Sequence, residues 1–183
     1  YTTLFRSMTQ KELRDKLGYV PQKGVLFSGT IDSNIRYGKP EITDAQVKEA
    51  AEVAQATEFI DTKPEKYKSP VSQGGTNVSG GQKQRLSIAR AIAKDPEIFI
   101  FDDSFSALDF KTDSQLRKAL KEYTKDATTV IVAQRISTIL GADQIIVLDD
   151  GHMAGIGTHK ELMANCEVYQ QIARSQLSEE ELA

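Results

Sequence analysis

The sequence has few of the features that mark membrane-spanning, disulfide-bonded or nucleic-acid-binding proteins. Its 183 residues include one cysteine, Cys166, and no tryptophan, so neither an internal disulfide nor a cysteine metal cluster is expected. No apolar run approaches the roughly 20 residues of a membrane-spanning helix. The net charge is −3, and basic and acidic residues are mixed along the chain. This argues against an extended polybasic surface for nucleic acid, although it does not exclude a local basic patch.

The remaining composition is that of a soluble globular protein, with one domain or one domain and a small subdomain. Strands alternate with helices, which predicts an α/β fold with a mainly parallel sheet. Capping-box spacings at Thr9 and Thr158 predict helix starts. We expect helices at 9–16, 43–59, 81–94, 111–123, 136–140 and from 168 onward, strands at 19–22, 98–101, 128–133, 144–148 and just after 149–151, a turn-rich segment at 24–38 and a polar loop at 63–77.

A glycine turn opens the helix predicted after Gly81. In the stretch Val78, Ser79, Gly80, Gly81 and Gln82, the serine can cap the helix, and the glycines let a ligand approach the backbone closely. The N–H groups at a helix start and the helix dipole together favour an anion such as phosphate. Such a turn, taken alone, can equally be an ordinary junction between a loop and a helix.

Two carboxylates follow the apolar strand predicted at 98–101. Asp102 and Asp103 stand where nucleotide-hydrolysing proteins place one acid that holds Mg²⁺ and another that polarises water. They could instead cap the following turn. Gln22, at the end of the predicted strand 19–22, could reach Mg²⁺ or water through its amide, or could be an ordinary exposed glutamine. Gln134 follows the predicted strand 128–133, where α/β sheets expose residues to a ligand crevice, although a polar residue is expected there in any case.

Together these residues resemble the nucleotide-binding domain of ATP-binding-cassette (ABC) transporters, of the multidrug-exporter type. Val78 to Gln82 is similar to the family's signature sequence, and the 98–102 stretch, ending in Asp102, to its Walker B strand. Gln22 resembles the Q-loop glutamine, and Gln134 stands at the position of the switch histidine. Ser106, Ala107, Leu108 and Asp109 resemble the D-loop. The order and spacing of these five motifs cover nearly all of residues 9–176.

The resemblance implies a fold, ligands and partners. It implies a P-loop NTPase-like, mainly parallel sheet with helices on both faces. The partial nucleotide-binding domain would cover residues 8–176, with a helical signature subdomain at about 23–95 and a core at about 96–165. A tail would follow at 177–183. ATP and Mg²⁺ are the implied cofactors, with Asp102 and Gln22 on the metal and Asp103 and Gln134 as catalytic residues. A second ABC subunit, in a heterodimer, and a transmembrane domain of the full-length chain are the implied partners, with no nucleic acid, at the cytoplasmic face of the membrane.

The phosphate-binding loop of the family is missing from this sequence. No Gly-x-x-x-x-Gly-Lys-[Ser/Thr] occurs in it, so we expect an N-terminally truncated domain that, by itself, does not hydrolyse ATP. Residues 1–7 can be back-translated into tac-acg-acg-ctc-ttc-cga-tct, the end of a common sequencing adapter. We therefore hypothesise a non-native leader; different codons in the nucleotide contig would contradict this.

Two further differences from the family pattern fall in the same nucleotide site, the one to which this chain contributes its Walker B strand. Asp103 replaces the family's catalytic glutamate and is one methylene shorter; Gln134 replaces the switch histidine and cannot titrate near neutral pH. The signature is intact except for Val78 in place of leucine, and the loop at 72–75 departs from the usual Glu-Arg-Gly. This pattern resembles the degenerate-site subunit of heterodimeric exporters, in which the signature completes the partner's competent site.

Two other functions are compatible with parts of the sequence. A soluble cassette ATPase of DNA repair or chromosome maintenance also uses a Ser-Gly-Gly signature, but its long heptad segments are missing from this sequence. A non-catalytic dimerisation module would tolerate the lost phosphate loop and the shortened carboxylate. An adjacent gene for a cassette with glutamate and histidine at the two positions would favour the transporter.

Overall fold

The computed structural model describes residues 8–178; the heptapeptide 1–7 and residues 179–183, including most of the predicted tail, lie outside the described residues. The chain divides into two units, one up to Val132 and one from Ala133. The helices of the first unit are α1 (Gln10–Asp15), α2 (Ile31–Ile35), α3 (Asp44–Val53), α4 (Thr57–Asp61), α5 (Gly80–Ala93) and α6 (Phe110–Tyr123), and its strands are β1 (Leu17–Val20), β2 (Gly29–Thr30), β3 (Pro70–Val71), β4 (Ile98–Asp102) and β5 (Thr128–Val132).

Strands β1, β4 and β5 form a parallel sheet in that order. On β4 the side chains alternate, and Phe99 and Phe101 are 2% and 1% exposed, whereas Ile98 and Ile100 are half-buried. The sequence predicted burial on both faces of this strand; only one face is fully covered. Because the strands are parallel, the residues that follow β1 and β4 emerge at the same edge of the sheet.

Helix α5 is the centre of the first unit. Its apolar residues Leu86, Ile88 and Ile92 are almost completely buried, and the helix packs against α2, α3 and strand β1. This packing places the start of α5, with its glycine turn, in the same unit as the sheet edge that carries Asp102 and Asp103.

Three segments differ from the sequence prediction. The predicted helix 43–59 is broken: α3 ends at Val53, Gln55 has φ +56°, and α4 begins at Thr57. The amide of Ala56 donates to the carbonyl of Ala51, and that of Gln55 to Glu52, which is a Schellman ending formed without glycine. The segment 24–38 contains helix α2, capped by Thr30, and the loop 63–77 contains β3, which pairs with β2.

The described part of the second unit, residues 133–178, contains an antiparallel hairpin and three helices. The core of this unit includes Ile136, Ile145, Val147, Leu162, Tyr169 and Ala173. His159 Nδ1 lies 2.8 Å from the hydroxyl of Tyr169, and His152 is exposed. The elements are α7 (Ile136–Ile139), β6 (Ile145–Asp149), β7 (His152–Gly157), α8 (His159–Asn165) and α9 (Glu167–Gln176).

Candidate nucleotide site

The two carboxylates stand at the carboxyl end of β4, as the sequence predicts. Asp102 is the last residue of the strand, and the amide of Asp103 donates to the carbonyl of Val132 over 2.9 Å. Asp103 has φ +44°, a left-handed conformation that aspartate tolerates better than most residues. Both side chains are half-buried, so they can face a ligand at the sheet edge.

Each carboxylate accepts a hydrogen bond from β1 or from the residues just after it. The hydroxyl of Tyr19 donates to Asp102 Oδ2 over 3.0 Å, and this hydrogen bond to the carboxylate raises the pKa of Tyr19 above its ordinary value. The carboxamide nitrogen of Gln22 donates to Asp103 Oδ2 over 3.1 Å. The structure therefore brings Gln22 together with the adjacent pair Asp102 and Asp103, which lies far from it in the sequence.

The segment that carries Gln22 is held by a side chain of α5. Gln84 is 1% exposed; its carboxamide donates to the carbonyl of Pro21 over 3.0 Å and accepts from the amide of Gly24 over 2.9 Å. A methyl group at Gly24 would lie 2.8 Å from the carbonyl oxygen of Lys83, so the close approach requires glycine. Sequence reasoning missed Gln84; its one signal is a polar residue among the apolar positions of α5.

The start of α5 is capped and accessible. The hydroxyl of Ser79 accepts from the amide of Gln82 over 3.2 Å, and the side chain of Gln82 accepts from the amide of Ser79. A methyl group at Gly80 would meet no atom within 4 Å, and one at Gly81 would lie 3.5 Å from the carbonyl of Ala107. The fold thus has room for a methyl group at both glycines. The space beside the backbone at these positions is therefore open to a ligand.

The segment 106–109 lies next to this turn and is tied to the carboxylates. Ser106 Oγ donates to the carbonyl of Asp103 over 2.9 Å, and buried Ser104 donates to the carbonyl of Val20 over 2.8 Å. Asp109 caps α6, as predicted, by accepting from the amide of Thr112 over 3.0 Å. This hydrogen bond lowers the pKa of Asp109 below its ordinary value.

Arg90 connects the far part of α5 to the segment 24–38. Its guanidinium donates to the backbone carbonyl of Asn34 over 2.8 Å, to the side chain of Asn34 over 2.9 Å and to the carbonyl of Val25 over 2.9 Å. It also lies over the rings of Phe27 and Tyr37, which stack with centroids 4.1 Å apart. Burial lowers the pKa of Arg90 below its ordinary value.

Gln134 lies in the second unit, where its backbone carbonyl accepts from Gln176 over 2.9 Å. Its catalytic role stays a prediction. Among residues 8–178, no helix has the length and apolar character needed to cross a membrane, and no group of three His, Cys, Asp or Glu side chains is arranged to hold a metal ion. The carboxylate of Asp102 and the carboxamide oxygen of Gln22, both at the sheet edge, nevertheless fit Mg²⁺ as ligands. This ion commonly takes one or two protein ligands and completes its coordination shell with phosphate and water.

Comparison with known proteins identifies the family. The family model described as ABC transporter matches residues 3–106, more than half of the chain. The chain belongs to the ABC transporter family. The predicted resemblance is thereby confirmed, as is the α/β class by the parallel sheet and its helices, whereas the roles of Gln22, Asp102 and the turn Val78–Gln82 stay predictions.

Similar ABC proteins are about three times longer. An uncharacterized ABC transporter ATP-binding protein of Mycobacterium tuberculosis is 45% identical over 174 residues, which cover 93% of this chain and 30% of that protein. A Staphylococcus aureus protein named for multidrug export as an ATP-binding/permease protein is 46% identical over 160 residues, 87% of this chain and 28% of that protein. The solved structure of a bacterial Atm1-family ABC exporter with ATP bound matches with a TM-score of 0.90 at 40% identity, over 94% of this chain and 30% of that one.

Proposed function

We propose that this chain is the ATP-binding, hydrolysis-coupled domain of an ABC exporter. In this proposal it drives transport by ATP-dependent, head-to-tail association with a second ABC subunit. The supporting observation is that one helix, α5, contributes to both parts of the proposed site, the glycine turn and the segment of Gln22. Its N-terminus is the open glycine turn at Ser79–Gly81, and its buried Gln84 fixes the segment from which Gln22 reaches Asp103.

The glycine turn serves a nucleotide that is bound mainly by the partner. The capped N-terminus of α5 presents amide groups and about half a positive charge to an anion. Since the fold accepts a methyl group at Gly80 and at Gly81, these positions are kept small for close approach of a phosphate. Ser79, Gly80 and Gly81 would thereby complete a competent site on the second subunit.

The sheet edge serves this chain's own site. Asp102 and the carboxamide oxygen of Gln22 would hold Mg²⁺, which neutralises phosphate charge when it is bound. Gln22, with its nitrogen on Asp103, orients that carboxylate beside the metal ligand. Asp103 is the acid placed to accept a proton from water, but it is one methylene shorter than glutamate.

We infer that this site turns ATP over slowly. A displacement of about 1 Å in a reacting group can cost about 100-fold in rate, and Gln134 cannot take up a proton as histidine does. Both changes weaken one half-site and leave the signature usable by the partner, which favours a heterodimer. The chain by itself has no Gly-x-x-x-x-Gly-Lys turn and is proposed not to hydrolyse ATP appreciably.

The relatives support an exporter over the two other functions. The names of the similar proteins refer to ABC transporters and to multidrug export, and the matched structure is an exporter; a DNA-repair ATPase and a non-catalytic module are not favoured. Because the chain spans about 30% of these proteins, we propose that the whole protein also carries transmembrane helices, with this domain at the cytoplasmic face of the membrane.

The proposal is tested with two matched cap substitutions in the assembled transporter. Ser79→Ala and Thr43→Ala each remove the hydroxyl of a capping box, on α5 and on α3 respectively, and each should destabilise the fold by about 1 kcal/mol. Only Ser79→Ala should lower ATP hydrolysis at the partner's site and transport with it. Equal hydrolysis in the two variants would contradict a role for the signature.

A further inference from the structure

The register of the parallel sheet places Tyr19 beside Asp102. Tyr19 of β1 pairs with Ile100 of β4, and Asp102 follows Ile100 by two residues, so the side chains of all three project from the same face. A tyrosine is long enough to reach the next position on that face. Its hydroxyl accordingly lies 3.0 Å from Asp102 Oδ2.

The two carboxylates are held by different donors. Asp102 accepts from the hydroxyl of Tyr19, whereas Asp103 accepts from the carboxamide of Gln22. A hydrogen bond from a phenol to a charged carboxylate is stronger than one between neutral groups. With Oδ2 engaged by the hydroxyl of Tyr19, rotation of the Asp102 side chain is restricted.

We propose that Tyr19 is a positioning residue that orients the carboxylate of Asp102 for a divalent cation. The proposal rests on the function proposed above, in which Asp102 holds Mg²⁺. Groups that hydrogen-bond to a metal ligand from outside the coordination shell fix its orientation, and their loss usually weakens metal binding about 10- to 100-fold. Because Tyr19 is 55% exposed, water can partly replace its hydroxyl, and we expect the lower end of that range.

The test compares two Tyr→Phe variants in the assembled transporter that contains this chain. Tyr19→Phe removes the hydroxyl from Asp102 and keeps the ring. Tyr37→Phe is the matched control, because Tyr37 is 58% exposed and stacks on Phe27 through its ring. Each variant is photolabelled with azido-ATP on ice, with Mg²⁺ varied from micromolar to millimolar, and labelling of this subunit is read after the two subunits are separated.

The expected result is a shift in metal dependence alone. Tyr19→Phe should raise the Mg²⁺ concentration for half-maximal labelling about tenfold, with unchanged labelling at saturating Mg²⁺ and unchanged thermal unfolding, and Tyr37→Phe should match the parent. A Tyr19→Phe titration that coincides with the parent's would overturn the proposal, as would labelling reduced equally at every Mg²⁺ concentration. If the parent subunit takes no label at any concentration, the proposed nucleotide site itself fails, and the role of Tyr19 with it.

Discussion

The carboxamide nitrogen of Gln22 lies 3.1 Å from the carboxylate of Asp103, although 80 residues separate them in the chain. This contact joins the segment after β1 to the end of β4. Its geometry depends on Gln84, which holds the backbone on either side of Gln22 and Lys23 through the carbonyl of Pro21 and the amide of Gly24.

Replacement of Gln84 should therefore loosen the segment around Gln22. Gln84→Leu leaves a half-buried carbonyl and a half-buried amide without their partner, which should lower the free energy of unfolding by about 1–3 kcal/mol. Denaturant unfolding measures the loss, and hydrogen exchange at the Gly24 amide should become faster. Gln115→Leu is the control: Gln115 is exposed on α6, so this change should stay within about 0.5 kcal/mol. Equal stability of the two variants would argue against the bridging role of Gln84.

Alanine substitutions at two glycines distinguish a glycine that ligand binding requires from one that folding requires. Gly80→Ala adds a methyl group that meets no atom within 4 Å, and alanine is preferred in helices by up to about 1 kcal/mol, so the fold should be as stable as the parent's or slightly more so. Hydrolysis at the partner's site should nevertheless fall, because the methyl group blocks close approach of phosphate. Unfolding and ATP hydrolysis, measured on the same variant, check both statements.

Gly75→Ala provides the opposite case. Gly75 has φ +65°, and its added methyl group would lie 3.1 Å from a side-chain carbon of Leu26. A left-handed conformation costs a residue with a Cβ about 1–2 kcal/mol, so this variant should unfold more easily. If Gly80→Ala destabilised the fold as much as Gly75→Ala, the loss of activity could not be assigned to the phosphate.

Arg90 should be irreplaceable by lysine. Its planar guanidinium serves the two oxygens of Asn34 and the carbonyl of Val25 together, a geometry that an ammonium group cannot reproduce. Arg90→Lys should lower the free energy of unfolding by about 1–3 kcal/mol, measured by denaturant unfolding. Arg14→Lys, at an exposed position on α1, should change it by less than about 0.5 kcal/mol; similar values for both would contradict the account of Arg90.

The sequence predicted the site better than the contacts that support it. Gln22, Asp102, Asp103 and the turn at Ser79 follow motifs with fixed spacing, so their positions could be predicted without coordinates. The contact of Tyr19 with Asp102 could not, because it depends on the register between β1 and β4. The end of α3 was missed because Gln55 takes the left-handed position that glycine usually marks, and the packing face of α5 gives no warning that Gln84 bridges two backbone groups.

The central claim, that this chain's own site is slow because of Asp103 and Gln134, is tested most directly by restoring the family residues. Asp103→Glu with Gln134→His is made in the assembled transporter, and hydrolysis at this site is measured as vanadate-trapped azido-nucleotide on this subunit. Asp95→Glu is the control for backbone strain, since Asp95 also has a positive φ, +53° against +44° for Asp103. The account predicts that trapping on this subunit rises about tenfold or more in the double variant and stays at the parent level in the control. Trapping that is unchanged in the double variant would contradict it.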